Sequence, residues 1–180
     1  MARGQTMSND NHSPRHICIV MGVSGVGKST VGRSLADQLG ATFLEGDDFH
    51  SNENRQKMAQ GKALNDADRM PWLDRLVLET RRARSSGDAV VLACSALKIV
   101  YRKRLVTGIG EPCQIIFLHG RMDTIFERMG HRAGHFMPFG LLQSQLDALE
   151  PPTPLEQAIY VDTEGQPIPA LVKDIRRQLA

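Results

Sequence analysis

Three cysteines are all this sequence carries, and Cys18, Cys94 and Cys113 form no C-x-x-C pair. They lie in or beside apolar runs, the usual setting of buried reduced thiols, which suits a reducing cytosol. No disulfide framework is needed, because a chain of this length buries roughly 70% of its unfolded surface. An excess of either charge is also missing: 22 basic and 20 acidic residues are interspersed, for a net +2. That balance gives no global field for nucleic acid or an anionic membrane. No apolar run approaches the length of a spanning helix, and the N-terminus has no apolar signal core. Repeats and low-complexity tracts are absent as well. Residues 1–14 are polar and aperiodic, so a disordered tail is expected ahead of a single domain over 15–180.

Within that domain, short apolar strands alternate with longer amphipathic segments. His16 to Met21 is a continuous apolar run that ends at glycine, as a strand buried on both faces does. Lys28 to Leu39 sets Val31, Leu35 and Leu39 on one helical face, and Gly40 closes it. Further strands are expected at 41–45, 89–93, 113–118 and 158–161, with helices at about 98–106 and 169–179. Residues 51–85 read as two helical pieces broken around Gly61 to Asp66, with Pro71 entering the second. The alternation predicts an α/β fold: three layers, α/β/α, around a parallel five-stranded sheet, with ligands bound beyond the carboxyl ends of the strands.

The stretch Gly22-Val-Ser-Gly-Val-Gly27-Lys28-Ser29 fits G-x-x-x-x-G-K-[ST] in full, between a buried strand and an amphipathic helix. Gly22, Gly25 and Gly27 permit a close backbone approach. Amides from Ser24 through Val26 to Thr30 can then face phosphate oxygens. Lys28 suits the β/γ-phosphates, and the Ser29 hydroxyl can ligate Mg²⁺. This predicts an ATP-type triphosphate site with magnesium. After the second strand, Glu45, Asp47 and Asp48 stand in Phe43-Leu-Glu45-Gly-Asp47-Asp48-Phe-His50, with Glu45 and Asp47 on one side of extended backbone. Strand-end carboxylates beside such a loop can position the metal through water or accept the proton of an attacking hydroxyl.

The segments Asn54-x-x-Lys57-Met with Asp68-Arg69-x-Pro71-Trp72-Leu73, and Cys94-Ser95-Ala96-Leu97-Lys98 with Tyr101-Arg102, carry a resemblance. So do Arg132-x-Gly134-His135-Phe136-Met137-Pro138, Ser144-Gln145 and Leu149-Glu150-Pro151. Together they are similar to the gluconokinases of the shikimate-kinase-like branch of P-loop kinases, from about Ile17 to Pro151. The resemblance implies ATP-dependent phosphorylation of D-gluconate in the cytoplasm, with Lys28 and Asp47 catalytic and Glu45 holding water-bridged magnesium. It implies a sugar-acid pocket drawn from Asp47, His50, Lys57, Arg69, Ser95, Lys98, Arg102 and His135. Arg69 has a second reading, an ion pair with Asp66 or Asp68, and Trp72 reads as core. The resemblance also implies a lid at about 121–145 whose Arg128 and Arg132 meet the transferring phosphoryl, and it admits a homodimer.

His131 and His135 share the spacing of a metal pair, but no third ligand is near and arginines flank them, so zinc is rejected. Cys94 reads as a packed thiol rather than a nucleophile. Residues near Arg121 and in the Asp162 to Ile168 loop are candidates for the adenine pocket. Ser51, Ala63 and Lys103 depart from the family pattern without touching an assigned group. Two alternatives stay open: another small-molecule kinase of this fold, such as a shikimate kinase, or a non-catalytic nucleotide-binding regulator. A GTP-dependent switch lacks its Asn-Lys-x-Asp motif here.

Overall fold

A computed structural model describes residues 16–130 and 139–179. The strands are β1 (Ile17–Met21), β2 (Thr42–Glu45), β3 (Val90–Ala93), β4 (Cys113–His119) and β5 (Ile159–Asp162). They form one five-stranded sheet in the order β2-β3-β1-β4-β5, with all four pairings parallel. The helices are α1 (Lys28–Leu39), α2 (Asn52–Ala59), α3 (Asp66–Ser85), α4 (Ile99–Ile109), α5 (Met122–Gly130), α6 (Phe139–Ala148) and α7 (Ile168–Leu179). The expected lid spans α5 and α6, and its residues 131–138 lie outside the described residues.

The central strand shows why there are three layers. Side chains alternate across a strand. Ile17, Ile19 and Met21 therefore face one core, with Leu73 and Leu76 of α3 and Tyr101 and Leu105 of α4. Cys18 and Val20 face the other, with Val31 and Leu35 of α1 and Leu171, Val172 and Ile175 of α7. All five β1 residues are buried, so the strand needs apolar residues at every position.

The break expected around Gly61 to Asp66 is present, but the second piece starts earlier than Pro71. Asn65 accepts from the Asp68 amide and Asp68 accepts from the Asn65 amide, a reciprocal capping box that opens α3 at Asp66. Pro71 thus lies inside the helix. The cap satisfies two otherwise orphaned amides, which offsets the one hydrogen bond that proline cannot donate.

Candidate active site

β1 runs directly into the glycine loop. Gly22 sits at φ +143°, and a Cβ there would stand 2.6 Å from the Leu118 carbonyl oxygen, so no larger residue fits. Its amide donates to the Ser95 carbonyl at 3.3 Å, which ties the loop to the end of β3. At the far end of the loop, α1 begins with no side-chain cap. The amides at its start, beside Ser29 and Thr30, therefore form a ready anion seat. The Lys28 ammonium donates to the Val23 carbonyl at 3.0 Å, which folds it back over the loop.

A cavity of about 230 Å³ opens beside this seat, lined by Gly25, Gly27 and Thr30 and, across from them, Arg128, Thr163 and Gln166. Its opposite wall comes from the loop after β5. Arg121 does not line it and pairs instead with Asp123 at 3.4 Å. Arg128 donates to the Thr163 hydroxyl at 3.2 Å and carbonyl at 3.0 Å, so its fork is held at the rim of this cavity. Arg132 and His135, the other lid residues singled out, lie outside the described residues.

The carboxylates arrive from β2, with β3 between it and β1. β2 ends at Glu45, and a 3₁₀ turn, Gly46–Phe49, carries Asp47 into solvent-facing space. The turn presses on β3 so closely that a Cβ at position 46 would lie 2.5 Å from the Ala93 carbonyl oxygen. Trp72 locks the turn from α3, its indole N–H donating to the Gly46 carbonyl at 2.8 Å. The indole is core, as expected, and also carries His50, stacked on it at 4.3 Å and 15°. Burial pushes the His50 imidazole below its ordinary pKa, so it is neutral at physiological pH. Its Nε2 stands 3.9 Å from Asp47 Oδ1, and its buried Nδ1 has no hydrogen-bond partner among the described residues.

Cys94, fully buried at the end of β3, feels the charges of Asp47, Lys28 and Glu45 together. The glycine loop and the carboxylate-bearing strand meet at this strand end, through the Gly22 bond to Ser95 and the register of Glu45 against Ala93. Burial pushes that thiol up to about 12, which makes it inert as a nucleophile.

The acceptor-side cations divide into two kinds. Lys57 pairs with Asp68 at 2.5 Å and Lys98 with Asp66 at 2.7 Å, and these bonds hold both carboxyls below the usual carboxylate range. Arg69 has no carboxylate partner among the described residues. It donates to the Tyr101 hydroxyl at 3.4 Å and lies 5.7 Å over that ring. The lysines have taken the aspartates that Arg69 was expected to compete for. A larger open cleft of about 850 Å³ follows the other side of α3, past Ala67, Pro71 and Arg75 to Asp48 and His50. It is not lined by Arg69, Ser95 or Lys98.

Arg102 corrects one expectation. It is 1% exposed, and its fork is spent on groups of the protein itself. Nε and Nη2 donate to the two Glu156 oxygens at 2.5 and 3.0 Å. Nη1 donates to the carbonyls of Ala96, Leu97 and Glu150 at 3.1, 3.1 and 2.9 Å. The fork is fully committed to holding Ala96, which sits at φ +43°, and the loop beside Ser95. Sequence reasoning also missed two residues. Tyr101 donates to Asp66 at 2.5 Å, and Gln145 accepts from the Ser24 amide at 2.7 Å. Both stood in recognised motifs, but only three-dimensional contact reveals their partners.

An anion seat fed by the first strand, with carboxylates carried at the end of the second on the other side of β3, is the arrangement of a P-loop kinase for small molecules. Residues 17–152 match the family described as an AAA domain. Over 177 residues the chain is 42% identical to a probable gluconokinase of Xenopus tropicalis, covering 91% of this chain and 93% of that one. A gluconokinase structure from Sinorhizobium meliloti 1021 aligns with TM-score 0.81 at 42% identity, over 92% of this chain and 91% of the other. A sugar kinase structure from Janibacter sp. HTCC2649 aligns with TM-score 0.85 at 41% identity, over 92% and 95%. The chain belongs to the gluconokinase family, and the shikimate-kinase alternative has less support.

Proposed function

We propose that this protein transfers the γ-phosphoryl group of ATP to the primary hydroxyl of D-gluconate. The observation that carries the reading is the meeting of the glycine loop with Glu45 and the Asp47 turn around the end of β3, with the Arg69 fork in no ion pair among the described residues. The uncapped start of α1 and the glycine loop receive the phosphates, and Lys28 offsets charge on the β/γ oxygens. Asp47 accepts the hydroxyl proton as the new O–P bond forms and the bond to the β-phosphate oxygen breaks. Arg69 presents a planar fork to the sugar-acid carboxylate, while Lys57 and Lys98, neutralised by their aspartates, donate to hydroxyls.

His50, neutral and with Nε2 turned toward Asp47, offers a further hydroxyl contact, and Ser95 stands just past the end of β3. The hydroxyl of Ser29 and the carboxylate of Glu45 are hard oxygen donors, and this small set fits Mg²⁺, which takes most of its ligands from phosphates and water. When bound, the ion neutralises developing phosphate charge. The adenine end is assigned to the smaller cavity beneath Arg128. Among the described residues no helix is long and apolar enough to cross a membrane. The free thiols fit a reducing cytoplasm.

A panel of sugar acids, shikimate and nucleoside monophosphates, each assayed with ATP and Mg²⁺ for ADP formation, tests the reading. Gluconate alone should stimulate turnover. Turnover with shikimate or a nucleotide while gluconate stays inert would overturn the substrate assignment.

A further inference from the structure

One peptide unit of the glycine loop, between Val23 and Ser24, is held at both ends. Its carbonyl accepts from the Lys28 ammonium at 3.0 Å. Its N–H donates over 2.7 Å to Oε1 of Gln145 on α6, 121 residues away in sequence. A backbone donor needs an acceptor, so the carboxamide must present its oxygen there. A peptide group is planar, so fixing the direction of the N–H also fixes the direction of the carbonyl on the same plane.

The element that carries Gln145 is itself anchored. Leu142 of α6 is 1% exposed in the core between the sheet and α1. Just beyond the helix, the Glu150 amide donates to the Leu97 carbonyl at 2.9 Å, and the Glu150 carboxylate accepts from the Ile99 amide at 2.6 Å. Gln145 is only half-buried, so burying it adds little to the core. Its side chain bonds the loop.

We infer that Gln145 is a positioning residue for phosphoryl transfer: it holds the Val23–Ser24 peptide plane and, through that carbonyl, sets where the Lys28 ammonium rests. The inference rests on reading the loop as the ATP site. Without the carboxamide, the Ser24 amide is free to turn, the carbonyl turns with it, and the Val23 bond that helps to aim Lys28 is weakened. The loop then still surrounds the phosphates, but its one ammonium no longer arrives preplaced.

The test is binding of a non-hydrolysable ATP analogue with Mg²⁺, titrated to saturation by calorimetry. It compares the full-length protein with Gln145→Met, Gln145→Leu, Lys28→Met and the two double variants. Methionine and leucine are strong helix formers without a comparable acceptor. In the Lys28 background of the natural chain, each Gln145 variant should weaken the analogue about five- to tenfold, the weight of one hydrogen bond. In the Lys28→Met background the same substitutions should add no further loss, because the group they act through is gone.

Equal losses in both backgrounds would overturn the inference, as would no loss in either. A Gln145 variant that no longer melts cooperatively would overturn it too, since that outcome assigns the residue to stability. If the natural protein bound no analogue, the ATP reading would fall instead, so the two failures are separable.

Discussion

Replacing Arg102 with methionine should damage the fold far more than it damages sugar-acid binding. The side chain is 1% exposed, and its ion pair with Glu156 closes at 2.5 Å with the carboxylate 13% exposed. The substitution strips the guanidinium from that carboxylate, which keeps Thr153, and from the carbonyls of Ala96, Leu97 and Glu150, of which that of Leu97 keeps the Glu150 amide. Removing one partner of a buried pair costs about 3–5 kcal/mol. For a domain of this size that corresponds to a fall in Tm of about 6–20 °C. Urea unfolding followed by the fluorescence of Trp72, the single tryptophan, reads the change directly.

The effect also has a defined pH dependence. Hydrogen bonds from Arg102 hold the Glu156 carboxyl below its ordinary range. Its stabilising contribution is therefore fully present above the unfolded value, about 4.3, and is lost as pH falls through the lower folded value. The stability gap between the natural chain and Arg102→Met should stay constant at neutral pH and narrow only below about pH 4.3. A variant within about 1 kcal/mol of the natural chain, with a raised KM for gluconate, would refute this reasoning and return Arg102 to the substrate pocket.

Asp47→Asn should lower kcat by about 10²–10⁴, the usual weight of a general base, while nucleotide affinity measured by calorimetry stays unchanged. Equal loss in both would remove its assigned role. Arg69→Met should raise KM for gluconate by about 10- to 150-fold, as for a lost charge-assisted hydrogen bond, and leave KM for ATP alone. A change confined to ATP would contradict the anchor assignment. Burial pushes the Cys18 and Cys94 thiols up to about 12, so both stay protonated at neutral pH. A thiol reagent should label neither in the native protein and both after denaturation, and rapid native labelling of Cys94 would count against the packing described here.

What could be read ahead of the structure was whatever depends on short-range pattern. The run from Ile17 to Met21 needs apolar residues at every position because both faces are covered. The glycine loop announces itself because its chemistry is local, from Gly22 to Thr30. The start of α3 was misplaced because a proline was weighed above the Asn65–Asp68 cap, although both lie in plain view. Roles set by distant contacts were hidden. A motif arginine reads the same whether its fork meets substrate or Glu156, 54 residues away. Lys57, Lys98 and Arg69 look equivalent as cations until Asp68 and Asp66 are seen to take the two lysines.

Phosphorus NMR of the product formed from ATP and D-gluconate tests the central claim most directly. Transfer to the primary alcohol predicts a new phosphomonoester signal split into a triplet by the two methylene protons, appearing as the γ-phosphate signal of ATP disappears. A doublet, which marks a secondary alcohol, or release of inorganic phosphate alone would contradict the account.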